Sequence, residues 1–122
     1  MMESLSTDCR PFIKDFDRFT EIYTDWGNFH DAKLLSIDFK DTDNSGRHGY
    51  CLFKVGFSLD DFIVLKFTNV HSIFTDIHDF RSSFFFSIDF RVTDWCDYGK
   101  CICMETDGDC VRIIAEYLEV VD

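Results

Sequence analysis

Apolar and polar positions follow two different rhythms along this chain, and the change falls near residue 26. Before it, Phe12, Phe16, Phe19 and Tyr23 recur at i, i+4, i+7 and i+11, one face of a helix. Lys14, Asp15, Asp17, Arg18 and Glu21 fall mostly on the other side, and Pro11 suits a first helical position. The spacing predicts a helix over residues 11–24, ended by the Gly27-Asn28 turn. Beyond that turn the period is two. Leu35, Ile37 and Phe39 alternate with Ser36, Asp38 and Lys40, and Phe53, Val55 and Phe57 alternate with Lys54, Gly56 and Ser58. Phe84, Phe86, Ile88, Phe90 and Val92 do the same with Phe85, Ser87, Asp89, Arg91 and Thr93. Such alternation marks strands with one face buried, as in antiparallel sheets.

Residues 62–69 are apolar on both faces and predict a more central strand. Asp60-Asp61 reads as a tight turn, and Asp107-Gly108 as a two-residue hairpin between strands over 100–106 and 109–117. No second helix long enough for a parallel crossover is evident. The expected fold is a single α+β domain over residues 1–122, mainly an antiparallel sheet of six or so strands with one N-terminal helix. Phe16, Phe19, Leu35, Ile37, Phe67, Phe86, Ile88 and Phe90 are the expected core.

Composition supports this. Fifteen phenylalanines in 122 residues imply a core of packed rings, and a single proline leaves no linker to divide the chain. Twenty-three acidic against 12 basic residues give a formal net charge of -11. Phosphate contacts need Lys and Arg, so that balance argues against nucleic acid and against anionic membrane as partners. It suits a basic protein partner drawn in by long-range attraction. The first residues hold neither a basic region nor an apolar run, no stretch approaches a membrane span, and six cysteines without an export signal read as reduced thiols. The expected location is cytoplasmic.

The candidate chemistry is sparse. The corner between the two rhythms, Trp26-Gly27-Asn28-Phe29-His30-Asp31, holds an adjacent His-Asp pair that could move protons or bind metal. Turn chemistry explains the same residues: Trp26 and Phe29 plug the core edge, and His30 or Asp31 bonds corner amides. Residues 41–46 place oxygen ligands like the start of a calcium loop, but Leu52 stands where a bidentate Glu is needed, so a hairpin loop is the better reading. Cys96, Cys101, Cys103 and Cys110 match no common zinc spacing. With a two-residue turn at Asp107-Gly108, Cys101 and Cys103 would share a strand face with Cys110 diagonal to Cys103. They read as small apolar strand residues, with no metal and no cofactor expected. His30-Asp31 and His78-Asp79 are also the dipeptide of HD-type phosphohydrolases, but those domains are all-helical, which the strand alternation contradicts. No nucleotide-binding glycine loop, nucleophile elbow or zinc-protease motif is present.

Through Trp26-x-x-Phe29-His30-Asp31-Ala32 the chain resembles a family of small bacterial immunity proteins from polymorphic-toxin systems, whose W-x-x-F-H-D-A motif opens the first strand. The likeness extends through residues 63–70 and 77–80 toward the strand at 84–90, and covers 22–90. Gly27 stands where the family often has proline. The resemblance implies a non-enzymatic inhibitor of a cognate toxin. In that reading Asp41, Asp43, Asp60, Asp61, Asp76 and Asp79, in expected loops or turns, are the candidate partner contacts, and Trp26, Phe29, His30 and Asp31 are a structural motif. The alternative is a small cytosolic enzyme or ligand-binding module with a His30/Asp31 pocket, extended by His71 or His78. It lacks a nucleophile–base set that spacing supports.

Overall fold

The computed structural model describes residues 6–27, 29–30, 32–41, 49–58, 60–75, 88–95, 99–106 and 111–121. A 3-10 helix (Thr7–Phe12) leads into helix α1 (Phe16–Asp25), and six strands follow: β1 (Lys33–Asp41), β2 (Gly49–Ser58), β3 (Asp61–Thr75), β4 (Ile88–Asp94), β5 (Lys100–Thr106) and β6 (Val111–Val121). They form one sheet in the order β1-β2-β3-β6-β5-β4, every neighbouring pair antiparallel. Two three-stranded meanders therefore join through β3 and β6, and the stretch apolar on both faces is central, as expected. Among the described residues no helix is long and apolar enough to cross a membrane.

The N-terminal helix is shorter than the 11–24 span its spacing suggests. Pro11 lies inside the 3-10 turn, Ile13 is extended (φ -122°, ψ 118°) and Asp15 is left-handed (φ 52°). Ile13 bridges Leu118 in parallel, and the Lys14 amide donates to the Leu118 carbonyl at 2.9 Å. The segment thus leaves the helix to satisfy β6 beyond the last β5 pair, Ile102–Ala115. That contact is long-range and invisible to local periodicity. Phe12, Phe16, Phe19 and Tyr23 still meet the core from two successive helical pieces.

One sheet face lies under these helices. Phe19, Phe53, Phe67, Leu65, Ile88, Ile102, Met104, Ile113 and Leu118 are buried there at 1% exposure or less. Phe19 meets Phe90 edge-on at 5.1 Å, and Tyr23 does so at 5.6 Å while its hydroxyl donates to the Ile88 carbonyl. Phe16 and Phe90 are buried as expected. Leu35 is a correction. The β1–β2 register shifts between Leu34 and Ser36, so Leu34 turns into the core and Leu35 is only half-buried. Ile37 packs against the core but stays partly exposed. Phe86 lies outside the described residues.

The β5–β6 hairpin also differs from its reading. Glu105 faces Arg112, and the described strands stop at Thr106 and restart at Val111. A two-residue turn at Asp107-Gly108 would have set Thr106 against position 109. Instead the Thr106 hydroxyl accepts from the Val111 amide at 3.0 Å and ties the strand ends together. Residues 107–110, Cys110 included, lie outside the described residues.

Candidate binding site

Trp26 and Phe29 of the corner motif pack the edge of the core. Gly27 and Phe29 are left-handed, at φ 61° and 62°, a conformation uncommon for an aromatic residue. Phe29 is fully buried, tilted on Tyr23 at 5.6 Å and edge-on to Trp26 at 5.8 Å. Trp26 stacks on Phe57 at 5.1 Å, which caps the core edge at the end of β2. Among the described residues, backbone carbonyls accept from the corner amides. The amides of Gly27, Phe29, His30 and Ala32 donate to the carbonyls of Thr24, Trp26, Gly27 and Phe29 respectively, each at 3.0 Å. His30 is exposed, and Asp31 lies outside the described residues.

The acidic contact candidates separate. Asp60 and Asp61 are exposed at the β2–β3 turn, where the Asp60 amide donates to the Ser58 hydroxyl at 3.2 Å. Asp41 pairs with Gly49 at the other end of β2. Ten residues of strand separate the two ends, about 30 Å at the usual rise. Asp43, Asp76 and Asp79 lie outside the described residues.

Cys101 and Cys103 do share a face, the one turned away from the helices. They are at 0% and 1% exposure beside Ile114 and under Trp95. Cys103 faces Ile114 across the hairpin. Burial raises both thiols above their ordinary range; Glu116 adds to this at Cys101, while Arg91 opposes it at Cys103. On the helix side, burial and then Asp38 push the Cys51 thiol up to about 11. Raised, covered thiols are poor nucleophiles. Among the described residues no group of three or more His, Cys, Asp or Glu could hold a metal ion. Ellman's reagent at pH 8 should therefore leave Cys9, Cys51, Cys101 and Cys103 largely unmodified in native protein and modify them at once in guanidinium. Fast labelling of Cys101 in the folded state would contradict this packing.

The same outer face carries what period-two reading missed. Its rings bear cations: Lys54 Nζ sits 3.8 Å above Phe62, Lys66 Nζ 4.9 Å above Tyr50, and the Arg112 guanidinium 5.9 Å from Phe74. Phe62, Phe74, Tyr117 and Val121 remain 38%, 45%, 36% and 36% exposed. At the centre, where β3 meets β6, both strands break their alternation together. The core-facing set steps from Phe67 to Val70 on β3 and from Leu118 to Ala115 on β6, with those pairs still in register. Thr68, Asn69, Glu116 and Tyr117 fall in the gap and none belongs to the buried core.

Asn69 makes the step possible by being left-handed (φ 55°). Its side-chain amide donates to Glu116 Oε2 at 2.6 Å. His71, at the register shift between Val70 and Ser72, lies with its side chain 8% exposed and Nε2 3.5 Å from Glu116 Oε1. The Glu116 side chain is 43% exposed, so its carboxylate is held at Oε2 by Asn69, lies near His71 at Oε1 and still reaches solvent. The signal for this place was the three-residue step itself, Phe67–Val70–Ile73 facing Ile113–Ala115–Leu118. Comparison with protein-family models, curated proteins and solved structures gave no match.

Proposed function

We propose that the protein is a non-enzymatic inhibitor, acting in the cytoplasm, that neutralises a cognate bacterial toxin by stoichiometric binding. The observation that carries this reading is the outer sheet face. One face is closed by the helices, while the other presents Phe62, Phe74, Tyr117 and Val121 at more than a third exposure each. Large exposed side chains around a fixed polar centre have the make-up of an interface core with its rim. The net charge of -11 supports a basic partner, drawn in by long-range attraction. The likeness of residues 26–32 to the immunity family supports the same reading, and the corner itself serves as the scaffold that docks α1 on the sheet.

The test is co-expression with the toxin gene encoded beside this one. Growth should be rescued and a 1:1 complex should co-purify. If rim charges such as Asp60 and Asp61 steer association, raising salt from 50 to 500 mM should slow the on-rate about tenfold or more and change the off-rate far less. Absence of any toxin-like neighbour, or turnover of a small substrate by the purified protein alone, would overturn the proposal.

A further inference from the structure

We propose that Glu116 is the anchor of this interface and receives an arginine side chain from the partner, with Tyr117 forming the platform beside it. The proposal deepens the binding-protein reading and rests on it for the partner, but not for the chemistry of the site.

Four observations converge. First, the carboxylate is oriented. The Asn69 amide holds Oε2 at 2.6 Å and His71 Nε2 stands 3.5 Å from Oε1. A carboxylate oxygen accepts more than one hydrogen bond, so each retains capacity on its solvent side. Second, the orientation depends on an unusual backbone. Asn69 sits at φ 55° within a strand, where an alternating sheet would not place it. Such local strain, matched by a step in the facing strand, is the kind that sheets keep where a side chain must be aimed.

Third, Glu116 lacks the partner that its neighbours have. Glu119 meets Lys14 at 3.5 Å, Glu105 meets Arg91 at 3.3 Å, Asp94 meets Lys100 at 3.4 Å and Asp38 meets Lys40 at 3.5 Å. Among the described residues no lysine or arginine pairs with Glu116. Its contacts are a neutral amide and an imidazole. Fourth, the next residue, Tyr117, presents a ring 36% exposed on the same face. A guanidinium can fork onto both carboxylate oxygens while lying flat on an aromatic ring; an ammonium cannot do both. The site therefore favours arginine over lysine. The surrounding cations Lys54, Lys66 and Arg112 are already spread over their own rings, which leaves the Glu116 carboxylate to meet a basic partner's charge.

The test needs no toxin. The full-length protein, labelled with nitrogen-15, is titrated with N-acetyl-arginine amide, with the lysine and citrulline analogues as controls. Arginine amide should give a saturable shift of the Asn69 side-chain amide and the Tyr117 backbone amide. Lysine amide should bind at least fivefold more weakly, and neutral citrulline amide should give no saturable shift. Glu116→Gln, which keeps the size and an acceptor for Asn69, should abolish saturation. Asn69→Gly, which suits the left-handed backbone but frees the carboxylate, should weaken it about fivefold. Equal shifts with citrulline amide, saturation that survives in Glu116→Gln, or no saturable shift in the wild type would each overturn the site. If these results fail while the toxin is still neutralised, the anchor is wrong and the function stands. If the anchor holds and no toxin is neutralised, the site stands and the function falls.

Discussion

Phe67→Ala should lower the free energy of unfolding by about 3–5 kcal/mol. Phe67 is at 0% exposure in β3, paired with Cys51 of β2 on one side and Leu118 of β6 on the other. It lies where the two meanders join, so its ring borders core from both halves of the sheet. Truncation removes buried ring surface and leaves a cavity that flanking strands, hydrogen-bonded on both sides, cannot collapse to fill. Domains of this size are stable by only about 5–15 kcal/mol, so the loss would be a large share of the whole. Phe74→Ala is the contrast. Phe74 is 45% exposed under Arg112, and its loss should cost under about 1 kcal/mol. Urea unfolding of the two variants checks this, and a Phe67→Ala midpoint as mild as that of Phe74→Ala would show that the centre of the sheet lies elsewhere.

The parts of the fold written in local spacing were legible in the sequence. Alternation located the sheet, and the doubly apolar run marked β3 as central, because a strand with neighbours on both sides and cover on one has few polar positions to show. What was hidden depends on residues that break the period. The shift at Leu34/Ser36 exchanges Leu35 for Leu34 in the core without altering composition. The early helix gives way because Ile13 finds a partner in Leu118, more than a hundred residues on. Asp107-Gly108 lies outside the described residues, and the register of β5 on β6 pairs Ile102 with Ala115 and Glu105 with Arg112.

The candidate site shows the same division. The corner at Trp26 drew attention because its residue types are conspicuous, and its Trp and Phe proved to be packing. Glu116 stands far in sequence from Asn69 and His71, and no motif joins the three. They meet only because β3 and β6 are neighbours and step together. An asparagine within a run of strand-forming residues, followed by a three-residue step in the apolar set, was the available clue.

A large effect on binding is also expected of Tyr117→Ala. Tyr117 lies next to the fixed carboxylate on the face without helices, over a third exposed, and aromatic residues at interface centres typically carry about 2 kcal/mol or more each. Its removal should weaken the proposed toxin complex about thirtyfold, mostly through a faster off-rate, while leaving unfolding nearly unchanged. His30 belongs to the corner on the helix side, and His30→Ala should leave affinity within about twofold even if it costs some stability. Calorimetric titration of the toxin with folded Tyr117→Ala and His30→Ala proteins separates the two faces. A thirtyfold loss for the first and none for the second is the result expected. Full affinity in Tyr117→Ala together with lost binding in a stable His30→Ala protein would contradict the account and return function to the corner.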